Sequence, residues 1–160
     1  MERPCIDLAV VMEREAAPNQ WEAWRHRPAE VLLHQDAFGP EPRVLRDDGR
    51  LMSALHPGLR LELFRDECEG YHLNLTSGAP VWFVMWRSDE ADPSRAWPEI
   101  VSVSYQEAGR WLDAQEHVDN LPLPPEWVAW LQAFTDEHYR PEVKRRRRPA
   151  SFLPPDQRGP

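Results

Sequence analysis

Val81-Trp82-Phe83-Val84-Met85-Trp86 is apolar at every position. In an extended chain successive side chains point to opposite faces, so Val81, Phe83 and Met85 face one way and Trp82, Val84 and Trp86 the other. A strand with two apolar faces is covered on both sides. Helices from later in the chain can take one face, which leaves the other for the tryptophan-rich N-terminal segment or for another protein.

On the C-terminal side, Val101 and Val103 continue as a last strand. Ser104-Tyr105-Gln106-Glu107 then has the S-x-x-E form of a capping box, in which the serine hydroxyl and the glutamate satisfy amide donors at a helix start. This predicts a helix from Tyr105 to Ala114 with Ala108, Trp111 and Leu112 as its apolar stripe. Pro124-Pro125 predicts the start of a second helix, because the first helical positions need no amide hydrogens. Trp127, Trp130, Leu131 and Phe134 form its inward stripe, and Pro141 stops it.

On the N-terminal side, Ile6, Leu8, Val10 and Met12 alternate with Asp7, Ala9, Val11 and Glu13, the pattern of a strand with one buried face. Trp21 to His26 follows a break at Pro18-Asn19, and Val31-Leu32-Leu33 reads as a second short strand. Val44 to Arg46 and Arg50 to Met52 flank Asp47-Asp48-Gly49, a tight-hairpin signal because glycine tolerates positive φ. Leu59, Leu61 and Leu63 alternate with charged residues, and Tyr71, Leu73 and Leu75 alternate with His72 and Asn74. These predict two more strands, joined by an acidic turn ending at Gly70. The expected fold class is α+β: a curled antiparallel sheet of six to seven short strands with two C-terminal helices packed on one face. Residues 1–143 are expected to form a single α+β domain, with 144–160 a basic and then proline-rich tail in extended form.

With 160 residues and 41% apolar content the chain can bury one core, and it is short for two ordinary domains. Seventeen prolines favour short elements. There is no 18-residue apolar run, and the first apolar run is interrupted by Asp7, which fits neither a membrane span nor a secretory signal. The expected location is the cytoplasm. Cys5 and Cys68 are too few for a disulfide framework and read as small buried thiols. In that setting the glycosylation pattern Asn74-Leu75-Thr76 carries no meaning.

Several chemistries are unsupported. Lys144 is the sole lysine and lies in the charged tail, whereas Schiff-base chemistry and phosphate-binding loops need a lysine in a defined pocket. The seven glycines never cluster around a would-be pyrophosphate. Neither C-x-x-C nor H-E-x-x-H occurs, and Cys68 with His72 supplies half of what a structural zinc requires. Asp66, Glu67 and Glu69 read as a solvated turn rather than as paired acid–base carboxylates. No serine sits in G-x-S-x-G. No catalytic residue, metal ligand or cofactor is therefore expected.

Charge is uneven. Residues 140–160 carry seven basic and two acidic side chains, while the rest carries twelve against twenty-five. An acidic body argues against general nucleic-acid binding. The run Lys144, Arg145, Arg146, Arg147 and Arg148 is either a solvated tail or a contact for an acidic partner. Of eight tryptophans, Trp111, Trp127 and Trp130 lie on helix stripes. Trp21, Trp24, Trp82 and Trp86, together with the basic run, are the candidate partner-binding residues, because tryptophan is enriched at interface anchors.

Taken together, Val10 to Arg14, Trp21 to Pro28, Val31-Leu32, the Tyr71, Asn74 and Leu75 set, and Pro80 to Arg87 resemble a bacterial family catalogued as domain of unknown function 3305. Val101 to Ser104, Tyr105 with Glu107-Ala108, the Pro125 to Trp130 helix start and Lys144-Arg145 extend the likeness over roughly Ile6 to Arg148. Members are commonly found beside genes for molybdenum-dependent formate dehydrogenase and its maturation factors. The resemblance implies an accessory or binding protein for assembly or function of that enzyme, with a dehydrogenase component or maturation factor as partner. Some members carry the label of a molybdopterin-guanine dinucleotide synthesis enzyme, which implies the alternative of a small cofactor-handling enzyme. Nucleotidyl transfer, however, needs an N-terminal glycine-rich loop with a basic residue, and this N-terminus is a glycine-free strand.

Overall fold

The computed structural model describes residues 3–17 and 24–141. Over these the chain forms seven strands in two antiparallel sheets, with three α-helices. The first sheet has the order β2-β1-β4-β3, with β1 Cys5–Ala16, β2 Trp24–Leu33, β3 Arg43–Asp47 and β4 Leu51–Glu62. The second has the order β6-β5-β7, with β5 Val81–Ser88, β6 Ala96–Ser102 and β7 His117–Pro122. The helices are α1 Cys68–Leu75, α2 Tyr105–Asp113 and α3 Pro125–His138. The class is α+β, as the strand-then-helix order predicts, with the strands divided between two sheets.

The main core lies between the sheets. Leu8, Val10 and Met12 of β1 and Leu61 of β4 meet Trp82, Val84 and Trp86 of β5, and Tyr71, Leu131 and Phe134 close the helical side. The two faces of β5 are covered as its sequence requires. Trp82 lies 6.4 Å from the Trp127 ring of α3, and Phe83, on the opposite face, meets Tyr105 of α2 edge-on at 6.1 Å. The two C-terminal helices therefore serve opposite faces of this strand. Of the stripe expected on α2, Ala108 is buried but Leu112 is 58% exposed.

Elsewhere the structure departs from the pattern reading in ways with physical causes. The segment Tyr71 to Leu75 is helix α1, not a strand. Its buried positions Cys68, Tyr71 and Asn74 recur every three residues, while Leu73 points to solvent. β1 is buried on both faces from Leu8 to Met12, because the turn Asp36–Phe38 brings Phe38 against Ala9, Val11 and Leu55 on the outer side. The two strands expected around Leu51 and Leu59 are one. Pro57-Gly58 is absorbed in a bulge opposite β1, where Gly58 takes φ 85°. β2 likewise begins before Pro28, tolerated on an edge strand at a bulge. β7 escaped the pattern because Asp119 and Asn120 interrupt its apolar positions.

Candidate functional site

The inward stripe of β1 continues past the core to Arg14. Residues directly opposite one another on paired strands share a face. Arg14 lies between His26 of β2 and Met52 of β4, Met12 between Pro28 and Ala54, and Val10 between Val31 and His56. The inner face of the first sheet thus turns from apolar to cationic along its length. Across from it, the start of β6 and the two residues before it carry Arg95 and Trp97. Between them opens a cavity of about 330 Å³, floored by Met12, Arg14, Met52 and His56. It adjoins, around His26, a second cleft of about 490 Å³ walled by Trp24, Trp86 and His117.

The polar groups here are held in place. The Arg14 guanidinium lies 4.4 Å over the Trp24 ring and donates from one terminal nitrogen to the Ser94 carbonyl at 3.1 Å. Its Nε is buried and has no hydrogen-bond partner. His26 donates from Nε2 to the Pro93 carbonyl at 2.7 Å. Glu13 accepts from Arg27 Nε at 3.1 Å and Nη2 at 2.8 Å, so that carboxylate is engaged. Burial holds His56 below the usual histidine range, because the charged ring would lose its hydration. Trp86 stacks on His117 at 4.1 Å and donates its indole N–H to Asp119 at 2.7 Å. The arrangement can hold an acceptor group. Among the described residues no cluster of three His, Cys, Asp or Glu is placed to hold a metal.

A second feature lies on the other face of β5. Ile100 and Val118 both stand opposite Met85. Beside this row a groove of about 460 Å³ runs between α2 and β7, lined by Phe83, Tyr105, Leu112 and Val118. Tyr105 is 55% exposed and Ile100 38%, so with Leu112 the helix and sheet leave a large apolar rim in solvent.

The acidic turn of the sequence has a structural role. Ser104 caps α2 by accepting from the Glu107 amide at 3.2 Å, and its hydroxyl donates to Glu67 at 2.6 Å. Glu67 also pairs with Arg110. The reciprocal half of the capping box runs through Ser102, whose hydroxyl donates to Glu107 at 3.1 Å and accepts from the Ser104 amide at 3.0 Å. Burial raises the Glu107 carboxyl above its usual range, partly offset by the Ser102 hydroxyl. Asn74 is buried and donates to the carbonyls of Val81 and Val103, both at 2.9 Å, while accepting from the Val81 amide at 3.0 Å. Its amide is fully committed, which closes it to modification in the folded protein.

Of the residues singled out as partner contacts, Trp82 at 2% exposure belongs to the core, and Trp86 at 8% is a core residue that shows only an edge in the wall of the second cleft. Trp24 stands at the cleft, half-buried under Arg14. Trp21 and the run Lys144 to Arg148 lie outside the described residues. Sequence reasoning missed Arg14, His26, His56 and Arg95. One signal was present: Arg14 continues the inward alternation of β1, and an inward charge on a strand asks for a partner.

Fold and site together define a two-sheet α+β protein with a cationic cleft at one end and an apolar groove on its second sheet. The chain belongs to the family described as protein of unknown function DUF3305, whose model matches residues 7–148. No curated protein and no solved structure matches it. Among the described residues, no helix is long and apolar enough to cross a membrane.

Proposed function

We propose that this protein is a non-catalytic accessory protein that binds a component of a molybdenum-dependent formate dehydrogenase, or one of its maturation factors. The observation that carries a binding role is the groove between α2 and β7, where Tyr105 and Leu112 leave apolar surface in solvent. Aromatic anchors beside a groove supply most of the affinity in protein contacts, while rim charges mainly speed encounter. The gene neighbourhood implied by the family resemblance supports the choice of partner, and the basic run at 144–148 suits an acidic patch on it.

Surface-binding measurements with the dehydrogenase subunits and their maturation factors test this reading. The expected result is micromolar or tighter binding to one of them, with Tyr105→Ala and Leu112→Ser together speeding dissociation at least about tenfold. Deleting residues 144–148 slows association and blunts its salt dependence. No binding to any of these proteins at micromolar concentration overturns the proposal.

A second reading, a small cofactor-handling protein related to molybdopterin-guanine dinucleotide, is favoured by the cleft with its converging Arg14, His26 and His56 side chains. Calorimetric titration with a guanine nucleotide separates the two. Micromolar affinity supports this second reading, and no heat of binding removes it.

A further inference from the structure

We propose that the cavity between the two sheets is a binding site for a small organic anion, a single oxyanion carried on a compact apolar body. The oxyanion is received by Arg14 and the body lies against Met12, Met52 and Trp97. The inference is independent of the partner proposed above, because the groove lies on the opposite face of β5.

The central observation is the Arg14 guanidinium. It sits on the inner face of β1 where the core opens into a cavity, it is fixed by the Trp24 ring and the Ser94 carbonyl, and its Nε is buried without an acceptor. The cation is only part-buried, but its Nε donor has lost its hydration with nothing to replace it, which is costly unless an acceptor is supplied. Guanidinium geometry matches carboxylate and phosphate oxygens better than neutral acceptors. The protein's own acids at this end are already engaged. Glu13 is taken by Arg27, and the exposed Asp92 accepts from the amide and hydroxyl of Ser94 at 3.2 and 2.6 Å. Arg95 lines the same cavity and adds positive charge; Glu13 also lines it and Asp92 lies within electrostatic reach of both arginines, so an entering anion shares the two cations with these carboxylates.

The rest of the lining sets the ligand's other half. Met12, Met52, Ala54 and the Trp97 ring are apolar, and a volume of about 330 Å³ lies at the lower end of the range for ligand sites. That suits one ring or a short branched chain. Methionines adapt their shape, so the pocket tolerates variation in the body more readily than loss of the charge.

The test uses the full chain and the side-chain Nε–H resonance of Arg14, followed by NMR during titration with benzoate and with phenyl phosphate. The expected result is a saturable shift of that resonance with one or both probes, at a Kd of about 1 mM or tighter. Whichever probe binds more tightly identifies the oxyanion as carboxylate or phosphate. Arg14→Lys, which keeps the charge and removes Nε, weakens binding at least about tenfold. Met52→Trp, which fills the cavity and leaves Arg14 intact, does the same. No saturable shift with either probe up to about 20 mM overturns the site, as does affinity unchanged in both variants. Neutral benzamide binding as tightly as benzoate overturns the oxyanion. Inorganic phosphate binding as tightly as phenyl phosphate overturns the apolar body.

Discussion

Asn74 and Arg14 are both polar side chains set among apolar ones, and they are finished differently. Around Asn74, where α1 meets β5 and the end of β6, the side-chain amide donates twice and accepts once. A few residues away Ser104, Glu67, Ser102 and Glu107 close a second network on the start of α2. Around Arg14 one donor is left over. A saturated polar network in a low-dielectric interior fixes a single arrangement, while an unsaturated one stores a demand for an acceptor. The comparison separates the part of this protein built to hold its shape from the part shaped to receive something.

The largest effect is expected where the junction is tightest. A Cβ added at Gly70 would stand 2.1 Å from Ser104 Oγ and 3.2 Å from the Gln106 amide nitrogen. The first of these is a group with no room to yield, since Ser104 is fully buried and bonded to Glu67 and to the α2 amides. Gly70→Ala should cost more than about 3 kcal/mol or prevent folding, read from denaturant unfolding. A variant as stable as the parent would show the junction to be looser than the geometry says.

Ser104→Ala removes the cap and leaves Glu67 short of one donor. The expected loss is about 1–2 kcal/mol. A midpoint unchanged within error would mean that Ser102 and Glu107 carry the helix start without it.

The same comparison explains what the sequence discloses. The two-sided strand Val81 to Trp86 and the Ser104 cap are local features, and each is legible within a few residues. α1 was not, because Tyr71, Leu73 and Leu75 also alternate, and only tertiary packing decides between a period of two and a period near three. The cleft was hidden for a different reason. Arg14, His26, His56 and Arg95 are spread over some eighty residues, and only strand pairing and the approach of the sheets bring them together. Tryptophan content drew attention to Trp82 and Trp86, which composition cannot distinguish from exposed anchors. The exposed apolar residues that do rim a groove, Tyr105 and Leu112, sit on a helix whose stripe looked ready for the core.

A smaller effect separates the two regions by pH. Burial raises the folded-state pKa of Glu107 above the unfolded value near 4.5. The neutral carboxyl is therefore favoured by the fold, and its contribution is present below about pH 4.5 and lost as pH rises through the raised folded value. Glu107→Gln keeps an acceptor for the Ser102 hydroxyl and cannot ionise. Relative to the parent it should gain stability as pH rises from 4.5 and lose that gain in acid, seen in denaturation midpoints across pH. A constant difference at all pH values would show that Glu107 titrates normally.

The smallest effect on stability is expected at Arg14, and that smallness is the informative result. Arg14→Met gives up the contact with the Trp24 ring, about 0.5–1 kcal/mol at a partly exposed site, and the bond to the Ser94 carbonyl, an atom in a half-exposed segment that water can serve. It also removes an unpaired buried donor, a gain of similar size and opposite sign, while the long methionine side chain preserves the packing of the arginine stem. Thermal unfolding should therefore change by less than about 1 kcal/mol. Losses at Arg14 comparable to those at Gly70 would place it with the structural network and remove the reason for an unpaired donor to persist there. Near-neutrality would show that the fold does not need this cation, which leaves binding as the role its geometry can fill.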